Sequence, residues 1–185
     1  MKYCIANWKM NMTSKDALTY LNEIEKNAQK NKERFDNVAM IICPPYTALD
    51  LVSAMLAQEN QNILSNQGIA YIKNIELGAQ NMNPNSNGAY TGEISASMLN
   101  QYGIKWSILG HSERRTLFNE SNELINLKVK AALNNNISPI LCVGETLEER
   151  DSGKTEAVLS RQLEECLSGV FSSSEFLIAY EPVWA

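Results

Sequence analysis

The feature that most constrains this chain is an alternation. Short apolar runs rich in β-branched residues are each followed by a stretch with helical spacing. Val38 to Cys43 and Ile137 to Val143 contain no charged residue. A strand that is apolar on both faces must be covered on both, which is the condition of a strand inside a parallel sheet. Six such runs are predicted as strands: Tyr3–Trp8, Val38–Cys43, Ile75–Asn81, Trp106–Gly110, Ile137–Val143 and Phe176–Tyr180. Strands alternating with helices imply parallel pairing through right-handed crossovers.

The helices between them carry their own signals. Thr13-Ser14-Lys15-Asp16 reads as a capping box, and Leu18, Leu21, Ile24 and Ala28 continue it to about Lys30. Leu49, Val52, Met55 and Leu56 form a second stripe. A short helix over Ile94–Gln101 ends near Gly103, and a longer one spans Ser121–Asn134. Thr146-Leu147-Glu148-Glu149 is a second capping box, opening one helix that runs through Ala157, Leu159, Leu163 and Cys166-Leu167. Ser172 to Glu175 fits the same pattern, but a strand follows it. Gln61 to Asn74 reads as a helix end with an irregular connection. Met82 to Gly92, rich in Asn, Pro and Gly, reads as a loop of functional length.

Two architectures fit: a (β/α)8 barrel and an open doubly wound sheet. No G-x-G-x-x-G follows the first strand and no G-x-x-x-x-G-K-[ST] occurs, which weakens the nucleotide-binding sheet. Polar residues at nearly every strand end favour the barrel. Such a barrel takes eight strands and about 250 residues. The expectation is therefore an α/β protein with one TIM-barrel domain over residues 1–185, holding about six strand–helix units and incomplete at its C-terminus.

Charge and cysteine usage narrow the function. Twenty-one acidic against sixteen basic residues leave a net charge of -5, and no basic cluster suits nucleic acid. No apolar run approaches the roughly 20 residues that span a bilayer, and Met1–Ala6 lacks a signal peptide's apolar core. Cys4, Cys43, Cys142 and Cys166 form no C-x-x-C pair, so buried free thiols of a cytoplasmic protein are expected rather than disulfides or a metal site.

Three strand ends carry candidate chemistry. Glu181 ends the last apolar run between Tyr180 and Pro182, surroundings that disfavour its charged form and suit a base near neutral pH. The plain alternative is a solvated loop carboxylate. His111, the only histidine, follows Gly110 at the fourth strand end. Ser112 is a candidate N-cap, and a helix start favours a neutral imidazole. The plain alternative is a histidine that only caps backbone. Lys9 ends the first strand, with Asn7 two residues earlier and so on the same side. Surface lysine and backbone-bonded amide are the ordinary fates of such residues. Base, imidazole and ammonium at three strand ends suit proton abstraction beside a carbonyl on an anionic substrate.

Asn7-Trp8-Lys9-Met10-Asn11, Gly110-His111-Ser112-Glu113-Arg114-Arg115 and Tyr180-Glu181-Pro182-Val183-Trp184-Ala185 resemble three signature segments of the triosephosphate isomerase family. Cys142-Val143-Gly144-Glu145 and Gly88-Ala89-Tyr90-Thr91-Gly92-Glu93 resemble two more, all in the family's order. The resemblance implies a cofactor-free isomerase of dihydroxyacetone phosphate and glyceraldehyde 3-phosphate. Glu181 would be its base, His111 its neutral electrophile, and Lys9 with Asn7 its substrate-binding pair. Carboxylate base and neutral imidazole are the known chemistry of that family, not something the spacing shows. Ser112 would hold Glu181 at rest, with Cys142, Glu113, Gln80, Glu93 and Arg114 supporting. Pro182, Val183 and Trp184 would hinge a lid that excludes water, and the loop around Thr91 would make a homodimer. Another phosphosugar barrel enzyme, such as an epimerase or aldolase, and an inactive fragment or dimerising scaffold are the competing readings.

Overall fold

The computed structural model describes residues 2–35, 37–57, 75–171 and 173–184. The expected irregular connection over residues 61–74 lies outside them. Backbone contacts divide the chain into two compact units: Met1–Gln80 with Gln101–Lys105, and Asn81–Asn100 with Trp106–Ala185.

The first unit holds β1 (Lys2–Asn7), α1 (Ser14–Lys30), α2 (Lys32–Phe35), β2 (Val38–Cys43), a 3-10 turn (Tyr46–Ala48), α3 (Leu49–Ala57) and β3 (Ile75–Ala79). β2 pairs in parallel with β1, with Asn7 opposite Cys43, and with β3, with Ile42 opposite Leu77. α1 begins where the sequence says. Thr13 accepts from the Asp16 N–H, and the Asp16 carboxylate accepts from the Thr13 N–H, satisfying two otherwise orphaned donors. Its buried stripe is Ala17, Leu21, Ile24 and Ala28, at spacings of three and four. Leu18, expected in that stripe, stands exposed one position round the helix. α3 buries Leu49, Val52 and Met55 as expected.

The second unit holds α4 (Ala96–Asn100), β4 (Trp106–Leu109), α5 (Ser112–Leu117), α6 (Asn122–Asn134), β5 (Ser138–Val143), α7 (Leu147–Asp151), α8 (Thr155–Cys166) and β6 (Leu177–Tyr180). β5 pairs in parallel with β4 and β6, with Leu109 opposite Leu141 and Val143 opposite Tyr180. β4 is buried throughout and β5 nearly so, as strands apolar on both faces require. α6 buries Ile125, Val129 and Ala132.

Several expectations fail here. The single helix after Thr146 is two helices, because Gly153 takes a left-handed φ of 67° between α7 and α8. The buried face of α8 is Val158, Gln162 and Cys166, while Ala157 is exposed. The N-cap of α5 is His111, not Ser112; the imidazole Nδ1 accepts from the Glu113 N–H. All four cysteines are free thiols, but Cys4, expected to be buried, is exposed. Among the described residues, no helix is long and apolar enough to cross a membrane.

Candidate active site

At the end of β1 the chain turns sharply. Lys9 has a φ of 53°, a left-handed conformation that costs a non-glycine residue energy. Two amides fix it there. Asn7 Oδ1 accepts from the Lys9 N–H at 2.9 Å, and Gln80 Nε2 donates to the Lys9 carbonyl at 2.9 Å. Gln80 Nε2 also donates to the Cys43 carbonyl at the end of β2. Strand alternation does not relate Asn7 to Lys9 as expected, since β1 stops at Asn7. The side chain of Lys9 is instead presented, exposed, by a constrained turn.

The ends of β4 and β6 meet through side chains. Glu181 Oε1 accepts from the Ser112 hydroxyl at 2.8 Å and lies 3.0 Å from His111 Nε2. Its Oε2 accepts from the Ser112 N–H at 3.2 Å. The carboxylate therefore faces three donors, where flanking Tyr180 and Pro182 had suggested apolar surroundings. His111 is buried, and its other nitrogen is committed too, since Nδ1 accepts from the Glu113 N–H at 3.2 Å. A nitrogen that accepts an N–H carries no proton, so the ring's proton sits on Nε2 and points at Glu181. The Glu113 carboxylate is 3.6 Å from Nδ1, beyond hydrogen-bonding reach.

β5 supplies the floor between them. The Val143–Tyr180 register sets Gly144 beside Glu181, whose N–H donates to the Val143 carbonyl at 2.8 Å. A Cβ on Gly144 would lie 1.8 Å from the Glu181 carbonyl oxygen, so only glycine fits. Gln162 pairs with both polar atoms of Gly144: Oε1 accepts its N–H at 2.9 Å and Nε2 donates to its carbonyl at 3.1 Å. Cys142 is buried, and burial, with the Glu181 charge adding to it, pushes its thiol up to about 12. It is inert as an acid or nucleophile near neutral pH.

Glu145 is fully buried and gathers the segment after β6. Tyr180 donates to it at 3.0 Å, Trp184 Nε1 at 3.2 Å and Arg150 at 3.4 Å, while the Arg150 guanidinium lies 4.5 Å over the Trp184 ring. Burial works to raise its pKa. The bonds from its own N–H, Trp184, Tyr180 and Arg150 outweigh that and hold it below the ordinary 4.5. The Val183 N–H closes on the Glu145 carbonyl at 3.0 Å. Val183 and Trp184 are thus tied to one buried carboxylate residue.

The triosephosphate isomerase family model matches residues 2–185. Triosephosphate isomerase of Alkaliphilus oremlandii is 42% identical over 181 residues, covering 97% of this chain and 65% of that protein. That of Aquifex aeolicus is 44% identical, covering 97% and 66%. The chain belongs to the triosephosphate isomerase family. It spans about two thirds of the length of these curated relatives. The crystal structure of triosephosphate isomerase from Bartonella henselae, 38% identical, superimposes with a TM-score of 0.80 over 100% of this chain and 69% of that one. The fold class is therefore the barrel that alternation and strand ends pointed to, rather than the open sheet.

Among residues singled out from the sequence, the structure joins His111, Ser112 and Glu181, and it joins Asn7 with Lys9 and Gln80. Thr91 stands exposed in a loop where Asn83 donates to Glu93 at 2.8 Å. Arg114 donates to buried Glu120 at 2.6 Å, and Glu120 also pairs with buried Lys128, which donates to Asn81 at 2.8 Å. Burial lowers the Lys128 ammonium's pKa against the opposing pull of Glu120. Glu145, Arg115 and Gln162 had no assigned role. Glu145 and Arg115 were visible inside family-like segments, but Gln162 carries no local signal. Among the described residues, no group of three His, Cys, Asp or Glu side chains could hold a metal ion.

Proposed function

We propose that the protein interconverts dihydroxyacetone phosphate and glyceraldehyde 3-phosphate. The observation that carries this reading is the 3.0 Å approach of His111 Nε2 to Glu181, with Ser112 donating twice to the same carboxylate. In the reaction, substrate displaces Glu181 from Ser112. The carboxylate takes a proton from the carbon beside the carbonyl, leaving an enediolate. His111 donates from Nε2 to the carbonyl oxygen and moves protons between the two oxygens. Glu181 returns its proton to the neighbouring carbon, so no atom is gained or lost. The Lys9 ammonium balances the phosphate and the developing charge, and Asn7 sets its turn.

Pro182, Val183 and Trp184 form the hinge of a segment that closes over substrate and excludes water. We place the residues in one barrel domain acting in the cytoplasm as a homodimer through the loop around Thr91, without cofactor, nucleic acid or membrane. Glu181→Asp withdraws the carboxylate by one methylene. The expected result is a fall in kcat of about a hundredfold with KM changed little. A coupled assay of the full protein reads both constants, and unchanged turnover removes Glu181 from the role of base.

A further inference from the structure

We propose that Arg115 is a positioning residue: its guanidinium sets the direction in which His111 presents Nε2. It does so by holding the carbonyl before the histidine and the end of the neighbouring strand at once. Arg115 Nε donates to the Gly110 carbonyl at 2.7 Å, and Nη2 donates to the Cys142 carbonyl at 3.2 Å. Nη1 donates to Asn122 Oδ1 in α6, and Asn122 Nδ2 donates to Glu165 at 2.7 Å. The backbone N–H of Arg115 donates to the His111 carbonyl at 3.1 Å. One residue thus fixes the carbonyls of both Gly110 and His111, and ties them to the end of β5.

Gly110 is built around that contact. It has a left-handed φ of 72°, and a Cβ there would lie 3.0 Å from Arg115 Nη2 and 3.0 Å from Ile125 Cδ1. The planar fork is what the geometry uses, because four acceptors lie around it: the Gly110 and Cys142 carbonyls, Asn122 Oδ1 and Cys166 Sγ. A lysine ammonium keeps the charge but cannot span the Gly110 and Cys142 carbonyls from one rigid plane. Among the described residues, the imidazole nitrogens lie within hydrogen-bonding distance of the Glu113 N–H and of Glu181. Its orientation therefore depends on the peptide that carries it.

The proposal rests on His111 acting as the electrophile, but its test needs no turnover. His111 is the only histidine in the sequence, so its ring nitrogens give an unshared NMR signal. In the parent chain, 15N-labelled imidazole should show two well-separated resonances, those of a fixed Nε2–H tautomer. In Arg115→Lys, with far-UV circular dichroism unchanged, the two should move toward a common averaged position. In Arg115→Ala, millimolar guanidinium should restore the separation and urea should not. It can enter by the cleft of about 540 Å³ lined by Arg115, Gly144, Gln162 and Glu165. Parent-like resonances in folded Arg115→Lys overturn the proposal, and so does an Arg115→Lys chain that cannot fold, since Arg115 is then a fold residue only. Absence of isomerase activity in the parent would sink the functional reading while leaving these resonances to be read.

Discussion

The end of β1 and the ends of β5 and β6 present charge by opposite means. At β1, two neutral amides, Asn7 and Gln80, hold the backbone of Lys9, whose side chain is exposed. At β5 and β6 the backbone is held by register and close contact, and the side chains bond one another: Glu181 with Ser112 and His111, Glu145 with Tyr180 and Trp184. The difference follows from solvation. An exposed ammonium keeps much of its hydration, whereas a buried or half-buried carboxylate needs donors from the protein. Substitutions should therefore act through backbone strain at β1 and through packing and donor loss at β5 and β6.

The largest effect expected from this contrast is at Gly144. Gly144→Ala would put a methyl 1.8 Å from the Glu181 carbonyl oxygen, which is backbone and cannot swing aside. The expected cost is about 3 kcal/mol or more in stability. Denaturant unfolding would measure it, and a variant as stable as the parent would show that the close contact of Gly144 with Glu181 does not exist. A smaller effect belongs to β1. Asn7→Ala removes the acceptor for the Lys9 N–H without touching a carboxylate. The loss should be about 1 kcal/mol, the net worth of one hydrogen bond. Crystallography of the variant should show Lys9 leaving its left-handed φ of 53°. If Lys9 keeps that conformation, the amide is not what holds the turn.

The same contrast explains what could be read from sequence. Short-range devices were legible: the Thr13–Asp16 and Thr146–Glu149 boxes, and the apolar runs of β2 and β5, need only neighbours along the chain. His111, Ser112 and Glu181 were legible as strand-end residues, because alternation located the strand ends. Their donor-rich contacts were not, since Ser112 and Glu181 are 69 positions apart. Gln162 reaches Gly144 across 18 positions and Tyr180 reaches Glu145 across 35, so no local pattern marks either pair. Gly153 was read past because one glycine inside a helical pattern can be tolerated. The exposed Leu18 and Ala157 show that hydrophobic spacing gives a helix's existence more surely than its rotation.

The smallest effect tests the exposed side of the comparison. The Asp16 carboxylate closes the α1 capping box in full solvent, unlike Glu145 in its buried ring of donors. The Thr13 hydroxyl first, and then the Thr13 N–H, hold its pKa below the ordinary 3.8. A carboxyl that is more acidic folded than unfolded adds stability above its unfolded value and loses it as pH falls through the folded one. Asp16→Asn keeps an oxygen that can accept from Thr13 but removes the charge near the helix start. The variant should therefore melt slightly below the parent near neutral pH, and the gap should close as pH drops below 3.8. Salt should shrink the gap as well, because the group is exposed. A gap that widens in acid would mean that the Asp16 charge opposes the fold, and that exposed carboxylates here do not follow the donor rule that organises the buried ones.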